Sequence, residues 1–304
     1  MKHLKHLFKM TETKLLAHLE FELGQYGYRP LTGKGYLFAV GENPVLLVAH
    51  VDTVFKRPPQ AIYHDQMQGV LWSPDGLGAD DRAGVLGILR LLERGYRPSI
   101  LFCDGEESGL WGAKKAAKEL SESIASLEIN AVIELDRKGV REAVFYECGN
   151  NQIRDWVIEA GFIENIGTFS DISELGEGFN IAAVNLSCGY HRNHSREEYL
   201  VLDELEDTLS RVWWMLDHPP NERWLYEPMY WKGWLKTDWQ QEETWDICDC
   251  CQEYVFPDEQ RFSVGQYGVV CEVCAEWLSE ELATQPEKLP QLEIYENLKR
   301  KEVN

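Results

Sequence analysis

Residues 46–54 read LLVAHVDTV, and residues 73–92 read SPDGLGADDRAGVLGILRLL. The first is an apolar run that ends in His50 and Asp52, polar side chains two residues apart that an extended chain places on one face. The second passes through a glycine-rich turn and two adjacent carboxylates, Asp80 and Asp81. It continues into a segment whose Val85, Leu86, Leu89 and Leu92 form one apolar helical face. Strand, loop and helix in this order predict an α/β layer, with polar residues where such layers carry function, at strand ends and in the loops that follow. Acids at a helix start also satisfy its dipole, so Asp80 and Asp81 read equally as caps at this point.

The same arrangement repeats outward. SILFCDGEESGLWGAKKAAKEL, residues 99–120, is a strand that ends in Asp104, Glu106 and Glu107 before a helix. NAVIELDRKG, residues 130–139, delivers Glu134 and Asp136 on one face of a strand end. NLSCGYHRNHSREEYLVLDEL, residues 185–205, brings His191 and His194 ahead of an amphipathic helix. Strands are predicted at 45–49, 99–103, 131–135, 143–146 and 181–185, and helices near 11–24, 82–94, 109–122 and 150–160. The predicted fold is a three-layer α/β domain with a mixed, largely parallel central sheet. Adjacent carboxylates at the mouth of a sheet repel one another unless cations offset them, so the whole series points to divalent metals.

Taken in order, HVD, GADDRAG, DGEESG, ELD and HSREEY resemble the co-catalytic zinc exopeptidase superfamily, which includes peptidase T, acetylornithine deacetylase and the glutamyl aminopeptidases. The resemblance runs over roughly residues 10–210. It implies that Asp80 bridges two metal ions, that His50 and Asp136 complete one site, and that Glu107 and His194 complete the other. It further implies Glu106 as the general base, Asp52 as the residue that orients His50, and a cis peptide between Asp80 and Asp81. Two zinc ions are the implied cofactors, with manganese or cobalt as substitutes that carboxylate and imidazole ligands also accept. His191 competes with His194 for the last position. In GTFSDISEL, residues 167–175, Ser170 and Asp171 match a family loop that lines the substrate pocket. Only 57 residues separate Asp136 from His194, too few for the lid domain that many deacylases insert there, so a lidless catalytic domain is expected.

Beyond about residue 210 the texture changes. Tryptophans at 213, 214, 224, 231, 234, 239 and 245 lie among prolines and charges without a period. Five of the eight cysteines follow in one segment. Cys248 and Cys251, then Cys271 and Cys274, make two C-x-x-C pairs with 19 residues between them, the spacing of a structural four-thiolate zinc site. The intervening FPDEQRFSVGQYGVV reads as a hairpin, so this part resembles a zinc ribbon or treble clef. The expected organisation is a catalytic domain over 1–210, a Trp-rich linker over 211–245, and a zinc module with an acidic tail over 246–304.

With 51 acidic against 30 basic residues, a net charge of −21 repels nucleic acid and anionic membranes, and neither is expected as a partner. No apolar run approaches the roughly 20 residues of a membrane span. The start, MKHLKHLFKM, lacks the apolar centre of a secretion signal, which gives a cytoplasmic expectation. The expected function is a metallo-exopeptidase, an aminopeptidase on short peptides, with deacylation of N-acyl amino acids as the alternative. A non-catalytic binding or regulatory protein on the same fold is the remaining alternative, with a protein partner held through the zinc module.

Overall fold

The computed structural model describes residues 4–229 and, further on, 246–248, 254–255, 261–264, 269–271, 274–275 and 292–295. The chain divides into two compact units, residues 1–230 and 231–304.

In the first unit the strands are β1 (Leu31–Gly33), β2 (Tyr36–Ala39), β3 (Asn43–His50), β4 (Tyr63–Asp65), β5 (Val70–Trp72), β6 (Pro98–Cys103), β7 (Ala131–Arg137), β8 (Glu142–Val144), β9 (Ile163–Glu164), β10 (Ala183–Ser187), β11 (Tyr190–His191) and β12 (Tyr199–Val201). The helices are α1 (Leu4–Leu7), α2 (Glu12–Gln25), α3 (Ala79–Glu93), α4 (Trp111–Ala125), α5 (Asn151–Glu159), α6 (Asp171–Phe179) and α7 (Leu202–Asp217). Eight strands form one sheet in the order β1-β2-β6-β3-β7-β10-β8-β9. Its centre, β6-β3-β7-β10, is parallel, and antiparallel strands flank it on both sides. A smaller antiparallel sheet has the order β11-β12-β5-β4.

Strands buried on both faces read as continuous apolar runs, and alternation then decides which layer each residue serves. On β3, Val45, Leu47 and Ala49 pack into the core shared with α2, α3, α5 and α7, whereas Leu46 and Val48 face α4 and α6. On β7, Ala131, Ile133 and Leu135 take the first side and Val132 the second. Two apolar layers on one sheet give the three-layer α/β architecture. His50, Glu134 and Asp136 continue the even-numbered series of Leu46, Val48 and Val132, so all three point to the α4/α6 side.

The segment between Asp136 and His194 adds β8, β9 and β10 to the main sheet and packs α5 and α6 on its faces, so these residues extend the core and form no inserted domain. Helix α6 occupies the stretch expected to be a pocket loop. Helix α7 runs through residues 210 and 211, and Trp213 and Trp214 lie on it. Trp224 packs against the main core. The tryptophans at 231, 234, 239 and 245 lie outside the described residues.

In the second unit, β13 (Asp246–Ile247) pairs with β14 (Tyr254–Val255). There, β15 (Arg261–Val264) pairs antiparallel with both β16 (Val269–Cys271) and β17 (Leu292–Tyr295). The β15–β16 pair is the hairpin expected between the two cysteine pairs. Among the described residues no helix is long and apolar enough to cross a membrane.

Candidate metal centre

The register of the sheet sets one half of the centre. Val48 on β3 pairs with Glu134 on β7, and the same pairing carried two residues further sets His50 opposite Asp136. His50 Nε2 lies 3.5 Å from Asp136 Oδ1 and 3.1 Å from Asp80 Oδ1. His50 is fully buried, with 0% of its surface exposed.

Loops set the other half. His194 Nε2 lies 3.3 Å from Asp80 Oδ2 and 3.2 Å from Glu107 Oε2. The two oxygens of Asp80 therefore face two different imidazoles. Donor atoms of His50, Asp80 and Asp136 lie within 4.8 Å of one another, as do those of Asp80, Glu107 and His194. A third group of the same size joins Glu106 to His50 and Glu107. His194 has a left-handed backbone, φ 62°, a conformation that histidine tolerates better than most residues.

Backbone amides hold these side chains in place. Asp52 Oδ1 accepts from the N–H groups of Gly105 at 2.8 Å and Glu106 at 3.1 Å, and Oδ2 accepts from Glu107 at 3.2 Å. Its Oδ1 also lies 3.3 Å from His50 Nδ1, in a geometry too poorly aligned for a hydrogen bond. Asp52 thus positions the Glu106–Glu107 turn as well as lying against the imidazole. Gly105 must be glycine, because its φ is +83° and a Cβ would sit 1.6 Å from the Trp111 Nε1.

The adjacent acids divide their work. Asp80 faces the centre. Asp81 turns back to accept from the Gly84 N–H at 2.9 Å and the His50 N–H at 3.2 Å, which ties α3 to β3. The peptide between Asp80 and Asp81 is cis, as the resemblance implied.

Electrostatics favour added positive charge. Burial would lower the His50 imidazole, but Asp136, Asp52 and Asp80 raise it well above its ordinary value. His194 is raised well above its ordinary value in the same way, by Glu107 and Asp80 against burial. Burial, then the charges of Asp136 and Glu107, push Glu106 well above the carboxylate range despite His50. Burial and Asp80 lift Asp136 to about 7. Burial would also raise Asp52, but the contact with His50, the charge of that imidazole and the amides of Glu106 and Gly105 hold it below its ordinary value. Several buried carboxylates against two imidazoles leave negative charge that costs several kcal/mol per uncompensated ion.

Divalent cations fit this donor set. Tetrahedral zinc with bonds of about 2.0 to 2.2 Å keeps its ligand atoms about 3.3 to 3.6 Å apart, close to the 3.1–3.5 Å separations found here. Glu107 Oε1 is buried without a hydrogen-bond partner, which a cation would also relieve.

Three expectations need revision or sharpening. Ser170 and Asp171, expected to touch substrate, are 1% and 0% exposed. Ser170 caps α6, and its hydroxyl donates to Glu134 and, at 3.3 Å, to Asp136 Oδ2, so it supports the ligand strand. Asp171 has both oxygens buried without hydrogen-bond partners and lies where burial lifts it to about 7. The apolar face of α6 packs this stretch against the sheet. His191 is held elsewhere: its Nε2 meets the carboxylate of Glu204 and its ring stacks on Tyr199 at 5.0 Å.

Sequence reasoning missed Glu198. It is 1% exposed and accepts from the Ala79 N–H at 2.8 Å and the Asp80 N–H at 3.2 Å, so it fixes the loop that carries the shared carboxylate. Asn185 brackets the Asp136 peptide, accepting from its N–H at 3.0 Å and donating to its carbonyl at 3.1 Å. Asn193 donates to Asp80 Oδ2 at 3.3 Å.

In the second unit, Cys248, Cys271 and Cys274 offer sulfurs within 4.8 Å of one another, whereas Cys251 lies outside the described residues.

Comparison with known proteins bears on the fold that carries this centre. No curated protein matches the chain. In solved structures, the chain is similar to a tripeptidase from Staphylococcus aureus subsp. aureus Mu50, at 16% identity over 69% of this chain and 95% of that one, with a TM-score of 0.58. It is similar to the aminopeptidase PepT from Bacillus cereus ATCC 10987, also at 16% identity over 69% and 95%, with a TM-score of 0.55. An aminopeptidase from the archaeon Desulfurococcus kamchatkensis gives 14% identity over 72% and 94%, with a TM-score of 0.53. At such identities the likeness is one of fold. Residues 31–173, a little under half of the chain, match the model of peptidase family M28, and this span holds His50, Asp52, Asp80, Glu106, Glu107 and Asp136. That match, on a fold shared with an aminopeptidase and a tripeptidase, indicates a metal-dependent hydrolase.

Proposed function

We propose that the chain is a two-metal aminopeptidase that removes residues from short peptides. The observation that carries this reading is the position of Asp80, with one oxygen toward His50 and the other toward His194. His50, Asp80 and Asp136 would hold one cation, and Asp80, Glu107 and His194 the second, with zinc the best match to these ligands. Bound there, the cations would lower the pKa of water and polarise a scissile carbonyl.

Glu106 supplies the proton transfer. It is buried beside both ligand groups, and burial, with the charges of Asp136 and Glu107 and against that of His50, raises its affinity for a proton, so it is suited to take one from the attacking water and return it to the leaving nitrogen. Asp52 keeps Glu106 and Glu107 at fixed positions through three backbone amides. Support for a peptide substrate comes from the match to a peptidase family and from fold neighbours named as aminopeptidases and a tripeptidase. Support for a lidless site comes from the core elements between Asp136 and His194.

The test is hydrolysis by the full chain, loaded with zinc, manganese or cobalt, of short peptides with free and with blocked amino termini and of N-acyl amino acids. Cleavage that requires a free amine is expected. Glu106→Gln is expected to lower kcat by roughly a hundred- to ten-thousand-fold with metal content unchanged. Equal or better cleavage of acylated substrates would transfer the reading to a deacylase. No turnover of any substrate by metal-loaded protein would leave a binding protein on the same fold.

A further inference from the structure

The second unit contains a group of residues that the peptidase reading does not use. Its described elements are a two-stranded pair and a three-stranded sheet of short strands. Its buried side chains, among those described, are Cys248, Val270, Cys274 and Ala275. Thiols stand where a larger fold would place aliphatic groups, and a unit this small commonly needs a metal or a covalent link to hold together.

Cys248 directly follows β13, and the β13–β14 pairing makes residues 248–253 the connection of that strand pair. Cys271 ends β16, which packs against β13, and Cys274 lies three residues further on. This brings Cys248, Cys271 and Cys274 to one end of neighbouring strands. The backbone N–H of Cys271 donates to Cys248 Sγ at 3.3 Å, a contact that favours thiolate over thiol. The three sulfurs lie within 4.8 Å of one another. Tetrahedral zinc with Zn–S bonds of about 2.3 Å holds its sulfurs about 3.8 Å apart, inside that limit.

We propose that Cys248, Cys271 and Cys274, with Cys251 as the fourth ligand from the first C-x-x-C pair, hold a structural zinc ion in residues 231–304. Its ligands are all sulfur and those of the Asp80 centre are all oxygen and nitrogen, so one spectroscopic probe distinguishes them. Thiolate ligation closes the ion to substrate, and its contribution is to the folding of this unit.

Cobalt-substituted full chain tests the proposal. An intense near-ultraviolet thiolate-to-cobalt charge-transfer band is expected, with strong visible bands of tetrahedral cobalt. Both should persist in Asp80→Ala, which disrupts the other centre, and should be lost in Cys274→Ser. Zinc-loaded wild-type protein should carry about three zinc ions per chain, one of them resistant to removal of the Asp80 centre. Should Cys274→Ser not fold, alkylation of the wild-type chain mapped by mass spectrometry gives the same answer. Zinc should protect Cys248, Cys251, Cys271 and Cys274 together. Absence of the charge-transfer band, or equal alkylation of these cysteines with and without metal, would overturn the site. Protection of Cys250 in place of Cys251 would overturn the fourth ligand. A working zinc module beside an inactive Asp80 centre, or the reverse, separates this inference from the proposed function.

Discussion

His50 and Asp136 stand on neighbouring parallel strands, whereas Glu107 and His194 stand on loops. The strand pair is positioned by the same hydrogen-bond ladder that builds the core, and both residues are buried. The loop pair is more exposed, and its geometry depends on side chains that accept backbone amides: Asp52 for the turn at Glu107, Glu198 for the loop at Asp80. A sheet fixes ligands through register, and a loop does so only when its own polar groups are captured. The strand half should therefore resist perturbation, and the loop half should respond to changes in its supports.

The change that breaks both halves at once should have the largest effect. Asp80→Asn removes the charge that the two imidazoles share, and both ions are expected to be lost. Activity should fall further than the roughly hundred- to ten-thousand-fold expected from removing the base. The metal-free protein should melt lower than the metal-free parent, because burial would raise the Asp80 carboxyl but His194 and His50 hold it below its ordinary value, so its charge stabilises the folded chain. Metal analysis together with a thermal melt checks both. Two retained ions in Asp80→Asn would break the shared-ligand arrangement.

The loop half alone is tested by Glu198→Gln. The amide oxygen keeps one acceptor, but the amide nitrogen then faces a backbone N–H of Ala79 or Asp80, two donors opposed in a buried site. Metal affinity is expected to weaken by roughly ten- to a hundred-fold, the usual scale for partners that orient ligands. The weaker ion should be the one held by Glu107 and His194, which stepwise titration with cobalt would detect. Equal weakening of both ions would mean that Glu198 acts on Asp80 as a whole and not on the loop side.

The strand half is tested through the approach of α3 to β7. A Cβ at Gly84 would lie 1.9 Å from the Leu135 carbonyl oxygen and 2.6 Å from both carboxylate oxygens of Asp81. Gly84→Ala must push α3 away from the sheet, and a loss of about 1 to 3 kcal/mol is expected in chemical denaturation. An unchanged stability would show that this packing has slack.

The two halves also differ in how legible they are in the sequence. LLVAHVDTV and NAVIELDRKG are long apolar runs whose alternation by itself assigns His50 and Asp136 to one face. Parallel order and layer count follow from the same runs. The two-residue strands β9 and β11 and the hairpin of β1 and β2 carry too few residues for a period to register, and their pairing is set by tertiary contacts. Helix α6 is hidden for another reason. Its first turn, Ser170 to Ser173, has the polar residues of a loop, and only the buried Ile172, Leu175 and Phe179 reveal a packed helix. Glu198 is invisible because a buried acceptor for backbone amides looks, in sequence, like any surface acid in SREEY.

The smallest effect should come from the histidine that competed with His194. His191 lies three residues from it, yet its ring is stacked on Tyr199 of β12 and its Nε2 is engaged by Glu204 of α7. The left-handed residues Arg192 and His194 reverse the chain between the two, which sends the imidazoles to different places. His191→Ala removes a stacking contact and a partly exposed contact with the Glu204 carboxylate, together worth about 1 kcal/mol or less. Metal stoichiometry and kcat should stay at the parent values, whereas His194→Ala should lose the second ion. If His191→Ala instead empties a metal site and His194→Ala does not, the loop half is built on the other histidine and the role of the turn is reversed.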